Sequence, residues 1–170
     1  IKRSGIYDQV VKLLDEGGKN IFEDPGVMPN PTIEKVMEGV ALARKEAVDF
    51  ILAVGGGSVC DYGKAVAGSA YCEHDPWEYY FNNFGEMTCR WIPVGCVLTM
   101  AGTGSEMDSC SVISKHSENR KKFYYFRNPD FSILNPVYTY TVPKHHTVAG
   151  IYDIMSHILE QYLSGTDDNT

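Results

Sequence analysis

The sequence contains no apolar run close to the ~20 consecutive residues that a membrane-spanning helix needs, and no signal-peptide pattern opens it. It is also poor in positive charge, because 15 Lys and Arg stand against 22 Asp and Glu and give a net charge of −7. Proteins that bind nucleic acid concentrate Lys and Arg, so this balance argues against a phosphate-backbone partner. We therefore expect a soluble cytoplasmic protein with neither a membrane nor a nucleic acid as its partner.

Paired cysteines are missing as well. The chain has five cysteines, an odd number, and no two of them form a C-x-x-C motif. This usage argues against a disulfide framework or a zinc knuckle, and it is typical of buried thiols in a reducing compartment. With 170 residues and a hydrophobic fraction of 44%, the chain is long enough for one domain with a substantial core.

Both ends differ from those of a complete protein. Residue 1 is Ile rather than Met. The last residues, SGTDDNT, follow a predicted helix with no compact element behind them. We therefore expect this chain to be a piece of a longer polypeptide.

Helices and strands alternate through the first part of the chain. A helix capped by Ser4 and ended by a glycine pair is followed by a short predicted strand at 19–24 and a long helix at about 32–47. The continuous apolar run 50–54 predicts a strand buried on both faces, and another helix begins at about Ser58. This alternation predicts an α/β fold with a parallel sheet and helices on both of its sides.

The second half of the chain is richer in strands and loops. Strands are predicted within residues 91–99, 123–126 and 131–135. Pro143 then introduces a long final helix. No internal repeat and no low-complexity segment interrupts this pattern.

Three consecutive glycines, Gly55, Gly56 and Gly57, stand where the buried strand turns into a helix, and Ser58 follows them. Glycines allow close backbone approach, and free N–H groups at a helix N-terminus favour a phosphate. The three glycines and the serine therefore favour phosphate binding over a merely tight turn. Neither the G-x-G-x-x-G motif nor the P-loop motif fits this segment, so the pattern does not identify the ligand. Asp61, in the first helical turn, is equally explained by the helix dipole and by contact with a ligand hydroxyl.

A second polar loop, LTMAGTGSEMD at 98–108, follows another apolar strand. Thr99, Thr103 and Ser105 supply hydroxyl groups between flexible glycines. Taken alone, this loop is explained equally well by a polar turn and by ligand contact. Ligands of open α/β sheets bind beyond the carboxyl ends of the strands, so two such loops favour a shared site.

The final predicted helix carries Asp153 and His157 one turn apart, with Glu160 on the same face. A carboxylate and an imidazole at this spacing can share a metal ion, which would need further ligands from elsewhere. Periodicity alone favours the alternative of an ordinary solvated ion pair. The opposite face is an apolar stripe made of Val148, Ile151, Met155, Ile158, Leu159 and Tyr162.

Four segments occur in a distinctive order: AVGGGSVCDYGKAVA, IPVGCVLTMAGTGSE, LNPVYTYTVP and GIYDIMSHILEQY. Together they resemble the iron-containing (group III) alcohol dehydrogenases, and in particular their butanol-dehydrogenase-like branch. The resemblance implies a Rossmann-like nucleotide-binding α/β domain with a parallel sheet at 1–142, lacking its first strand. It also implies that 143–170 is the first helix of an all-helical metal-binding domain.

The resemblance assigns a role to each candidate site residue. A dinucleotide would be held by the glycine turn and by residues near it. The residues so implied as cofactor-binding are Asn30, Gly55, Gly56, Gly57, Ser58, Val59, Asp61, Thr99, Thr103, Ser105 and Lys122. Asp153 and His157 match the first two of four metal ligands, and the other two would lie beyond residue 170.

The family further implies an NAD(P)-linked enzyme that interconverts a small primary alcohol, such as butanol, and its aldehyde. The branch favours NADP over NAD, Fe²⁺ is the expected metal with Zn²⁺ as an alternative, and the full-length protein would be a homodimer. Two other interpretations stay open. One is a relative of glycerol dehydrogenase or dehydroquinate synthase, and the other is a catalytically silent nucleotide-binding fragment.

Overall fold

A computed structural model describes residues 2–164, apart from the side chain of Arg3. The last part of the predicted helical segment, 165–170, lies outside the described residues, as does residue 1. The α-helices are α1 (Ile6–Glu16), α2 (Ile33–Lys45), α3 (Gly57–Ser69) and α4 (Lys144–Leu163). The strands are β1 (Ile51–Gly55), β2 (Val94–Leu98), β3 (Cys110–Lys115), β4 (Arg120–Tyr125) and β5 (Phe131–Ile133). In the described part of the chain, no helix has the length and apolar content needed to cross a membrane.

Strands β1, β2 and β5 form the predicted parallel sheet, with β2 in the centre. Ile51 pairs with Val94 and Gly55 pairs with Leu98, so β1 and β2 end at the same level. All of β2 is buried, as expected for the central strand of a parallel sheet. This register places the two polar loops that follow β1 and β2 at one edge of the sheet.

Helix α3 is the centre of the core. Every residue from Cys60 to Ser69 is buried, because the helix packs between the sheet and the antiparallel hairpin β3–β4. Its small residues permit this packing: a methyl group added to Gly63 would lie 3.3 Å from Ala53 Cβ on the sheet. Helix α2 packs on α3, and its N-cap residue Thr32 accepts a hydrogen bond from the Lys35 N–H at 3.3 Å.

An aromatic cluster closes the opposite end of α3. A π-helical turn at Trp77–Asn82 brings Tyr80 and Phe81 against Tyr124 and Phe126. The Tyr80 hydroxyl donates to the Gly68 carbonyl at 3.2 Å, which satisfies a buried polar group. All five cysteines are free, and three of them are buried, which confirms the expectation of unpaired thiols.

Two sequence-based expectations near the N-terminus are wrong. Residues 19–24 form no strand; instead, their carboxylates make side-chain contacts, with Glu23 accepting from Tyr7 and Asp24 from Tyr62. These contacts fix the segment in a loop without a strand partner. The first helix begins at Ile6 with Gly5 at its N-cap, in the left-handed region at φ 75°, so Ser4 is not the cap.

Helix α4 begins after Pro143 as predicted, and most of its side chains are exposed. Gly150 is its one buried position, and Asp153 is half-buried beside Gly102. The predicted apolar stripe is exposed instead, with Ile158 60% and Tyr162 76% accessible. Amphipathicity therefore identified the two faces of α4 correctly but did not predict which one packs on the described residues.

Candidate cofactor and metal site

The glycine turn, Gly55–Gly57, joins the end of β1 to the N-terminus of α3. None of the three glycines has a positive φ, so they are not required by a left-handed conformation. Gly55 and Gly57 are required by space: a methyl group on Gly55 would lie 2.5 Å from Val59 Cγ2, and one on Gly57 would collide with the Thr103 hydroxyl. Gly56 differs, because the nearest atom to its added methyl group would be Met100 Cβ at 3.5 Å.

The N-terminus of α3 has no side-chain cap. Gly56 is the N-cap residue, with φ −89° and ψ −171°, and it has no side chain to occupy the first N–H groups of the helix. Those groups point out of the helix and carry the positive end of its dipole. Backbone donors are therefore available to an anion at this helix end, and the binding of a phosphate here stays a prediction.

Asn30 lies beside this helix end. Its N–H donates to Ser58 Oγ at 3.4 Å, and its Oδ1 accepts from Lys121 Nζ at 2.7 Å. The residue has φ 54°, a left-handed conformation that Asn tolerates better than most residues. The structure thus brings Asn30 and Ser58, two of the residues predicted to bind the cofactor, next to each other, and adds Lys121, which the sequence had not singled out.

The second polar loop, residues 99–108 (the hydroxyl loop), lies directly against the glycine turn. The Thr99 N–H donates to the Gly55 carbonyl at 2.9 Å. Thr103 Oγ1 lies 2.8 Å from Ser105 Oγ and faces Gly57. The two loops that the sequence predicted separately therefore form one surface at the carboxyl edge of the sheet.

Asp61 is directed into the protein. Its Oδ2 accepts from the Val112 N–H at 3.1 Å, and its Oδ1 lies 3.6 Å from Lys64 Nζ. Burial raises the pKa of the Asp61 carboxyl above its ordinary value, while the Lys64 ammonium and the Val112 N–H oppose that shift. These contacts hold α3 to β3, so the described role of Asp61 is internal, and its contact with a cofactor stays a prediction.

Two other predicted residues also make contacts within the protein. Val59 packs its side chain over Gly55 in the first turn of α3. Lys122 Nζ donates to Asn82 Oδ1 at 2.6 Å, whereas its neighbour Lys121 is the lysine that reaches Asn30. The roles of Val59 and Lys122 toward a cofactor stay predictions.

Helix α4 lies across the hydroxyl loop. Gly150 permits this approach, because a methyl group there would be 2.6 Å from the Ala101 carbonyl oxygen. His157 contributes to the wall of a cleft of about 250 Å³, opposite Thr103 and Glu106. Helix α4 borders this cleft with both polar and apolar side chains, namely Ile154, His157, Ile158 and Gln161.

Asp153 and His157 form a pair whose Oδ1 and Nε2 atoms are 3.8 Å apart. Their side chains are 43% and 52% exposed, so both are accessible to a metal ion. A carboxylate oxygen and an imidazole nitrogen are donors suited to Fe²⁺ or Zn²⁺. Within residues 2–164 no group of three or more His, Cys, Asp or Glu side chains is placed to hold a metal, so a metal bound by this pair would need ligands from elsewhere.

Parallel strands that carry a glycine turn at a helix N-terminus and a second polar loop at the same edge define a Rossmann-like α/β domain. The sequence matches the iron-containing alcohol dehydrogenase family over residues 1–136. The chain belongs to this family, which confirms the resemblance drawn from its four segments.

Individual relatives agree with this assignment. A probable NADH-dependent butanol dehydrogenase of Bacillus subtilis is 47% identical over 165 residues, which cover 95% of this chain and 42% of that protein. The NADPH-dependent aldehyde reductase YqhD of Escherichia coli is 40% identical over 168 residues, covering 96% of this chain and 43% of that protein. The crystal structure of NADH-dependent butanol dehydrogenase A from Thermotoga maritima matches with a TM-score of 0.93 at 40% identity, covering 99% of this chain and 42% of that one. The chain thus spans less than half the length of these relatives.

Proposed function

We propose that this chain is the nucleotide-binding part of a metal-dependent, NAD(P)-linked alcohol dehydrogenase or aldehyde reductase. One observation supports this most: the hydroxyl loop contacts the glycine turn on one side, and on the other it lines a cleft with His157 and lies beside Asp153. The proposed substrate is a small primary alcohol such as butanol, or its aldehyde, as the names of the relatives suggest.

In this proposal the glycine turn binds the pyrophosphate of the dinucleotide. The uncapped N–H groups of α3 supply the donors, and Gly56 leaves room for the phosphate to approach. Thr99, Thr103 and Ser105 of the hydroxyl loop are proposed to orient the nicotinamide. The bound nicotinamide supplies the hydride chemistry, and the protein aligns it with the substrate.

Asp153 and His157 would hold a divalent cation, which supplies a Lewis acid for the substrate oxygen. Fe²⁺ is the proposed metal, and the same mixed donors also suit Zn²⁺. The segment from residue 143 onward is proposed as the first helix of a helical domain, with residues 1–142 as the nucleotide-binding domain. The exposed apolar stripe of α4 supports that division, since such a stripe needs a partner.

The relatives' names favour neither nicotinamide cofactor decisively, because both NADH-dependent and NADPH-dependent enzymes match at 40% identity or more. The preference for NADP and the homodimer both stay predictions. Measuring the Kd of each reduced cofactor by fluorescence titration tests the first, and sedimentation of the full-length protein tests the second. The full-length protein is a polypeptide that contains this chain and has the length of its relatives.

The decisive variant is His157→Ala in the full-length protein. We expect bound metal to fall to less than about a tenth and butanol oxidation to fall on the order of 100-fold or more, because one of the few metal ligands is lost. The affinity for reduced cofactor should change less than about twofold, because the glycine turn is untouched. Metal analysis, steady-state rates with butanol and butanal, and cofactor titration on one preparation measure all three quantities.

Glu160→Gln is the matched control, since Glu160 is exposed on the same helix face and matches no family ligand. It should leave metal content and rate unchanged. If Asp153 and His157 are only an exposed ion pair, His157→Ala will change stability by about 0.3–0.5 kcal/mol and leave the metal in place.

A full-length protein that binds cofactor but neither metal nor alcohol would instead identify a silent nucleotide-binding protein. Turnover of glycerol or of a dehydroquinate-synthase substrate in preference to butanol would place it with those relatives.

A further inference from the structure

Lys64 is fully buried on α3, yet it carries an ammonium group. Its Nζ donates to the Ser105 carbonyl at 2.8 Å, to the Asp108 carbonyl at 3.2 Å and to Asp108 Oδ1 at 2.9 Å. Burying an ammonium is costly unless all of its donors are satisfied, and here three acceptors match its three N–H groups. Because burial of the ammonium is costly, we expect these contacts to have a role that an apolar residue could not fill.

All three acceptors belong to the hydroxyl loop, whereas Lys64 belongs to the helix that begins at the glycine turn. Asp61, one turn earlier on α3, fixes the β3 strand instead, through the Val112 N–H. Helix α3 therefore holds two separate segments by two buried charged groups. Because Asp61 and Lys64 also lie 3.6 Å apart, each lowers the cost of burying the other.

The contacts of Lys64 lead step by step to the glycine turn. Lys64 fixes the carbonyl of Ser105, and Ser105 in turn bonds to Thr103 through both its N–H, at 3.3 Å, and its Oγ, at 2.8 Å. Thr103 Oγ1 faces Gly57, so closely that a methyl group on that glycine would collide with it. The position of the Thr103 hydroxyl over the glycine turn is thus set by a lysine that itself has no exposure to solvent.

We propose that Lys64 is a positioning residue of the cofactor site: it holds the hydroxyl loop in the position over the glycine turn in which Thr103, supported by the buried Ser105, contacts the nicotinamide half of a dinucleotide. This rests on the proposed function, because it presumes that a dinucleotide binds there. Lys64 does not contact the cofactor, and it acts through the loop alone.

Lys64→Met in the full-length protein tests the proposal, since Met has a similar length and no donors. We expect the Kd for the reduced cofactor to rise about tenfold or more, measured well below the unfolding temperature, and amide hydrogen exchange to quicken across 99–108. Val66→Ala is the matched control, because Val66 is also buried on α3 but packs toward α2. It should lower stability while leaving the Kd within about twofold and the exchange of the loop unchanged.

Asp108→Ala provides a second variant in case Lys64→Met does not fold. The Asp108 side chain is 45% exposed and can be removed without opening the core, and it too should quicken exchange in the loop and raise the Kd about threefold or more. A folded Lys64→Met protein with normal affinity and normal exchange would show that Lys64 only stabilises the fold. If the unmodified protein fails to bind either nicotinamide cofactor, the proposed function fails. Faster hydrogen exchange in the hydroxyl loop of the variants would still show that Lys64 holds this loop in place.

Discussion

Replacing single glycines of the glycine turn by alanine should separate protein stability from cofactor binding. Gly56 has φ −89°, which alanine adopts readily, and its added methyl group would make only an ordinary contact with Met100. Gly56→Ala should therefore lower the free energy of unfolding by no more than about 1 kcal/mol, because no clash arises and only the preference for Gly over Ala at an N-cap is lost. The fold by itself does not need glycine at this position.

The bound cofactor does need it, if the pyrophosphate lies against the turn. A methyl group at Gly56 would hold a phosphate away from the N–H groups of α3. Losing one charge-assisted hydrogen bond costs about 1.5–3 kcal/mol, which corresponds to a Kd for NADH that rises about 10- to 100-fold. Fluorescence titration of the full-length protein with NADH and NADPH measures this change.

Gly55→Ala is the matched variant with the opposite outcome. Its methyl group would lie 2.8 Å from Val59 Cβ, an atom that is fixed by the backbone of α3 and cannot turn away. Overpacking of this kind costs about 1–3 kcal/mol, so denaturant titration should show a clear loss of stability. If Gly56→Ala binds both cofactors as tightly as the unmodified protein, the pyrophosphate does not approach this turn and the assignment of the turn is wrong.

Two further substitutions test how the surrounding elements are held in place. Gly150→Ala should push α4 away from the hydroxyl loop, because its methyl group would lie 2.6 Å from the Ala101 carbonyl oxygen. Amide hydrogen exchange should then become faster in α4 but not in β1. Unchanged protection of α4 would contradict this docking. Arg44→Met should lower the free energy of unfolding by about 1 kcal/mol, measured by denaturant titration. The reason is that Arg44 donates to the Ala70 carbonyl at 2.6 Å and to the Cys72 carbonyl at 2.9 Å, just after the end of α3. A variant as stable as the unmodified protein would show that water replaces these hydrogen bonds at no cost.

The sequence by itself determined the local features of the molecule. The apolar run at 50–54, the glycine turn and Pro143 each mark an element boundary through backbone preferences that act over a few residues, and all three boundaries lie within one residue of the predicted positions. The ordered set of motifs identified the family, and the structure and the relatives confirm it.

Tertiary contacts decided the rest, because they join residues far apart in the chain. Residues 19–24 were predicted as a strand, but in the described structure they form none, and Glu23 and Asp24 bind side chains from other elements. Helical periodicity defined two faces of α4 but could not show that Gly150 and Asp153, rather than the apolar stripe, would pack on the hydroxyl loop. Lys64 looks like a surface lysine in the sequence. Its burial follows only from the loop carbonyls that the fold brings to it, 41 and 44 positions along the chain, since a buried ammonium is stable only where three acceptors converge.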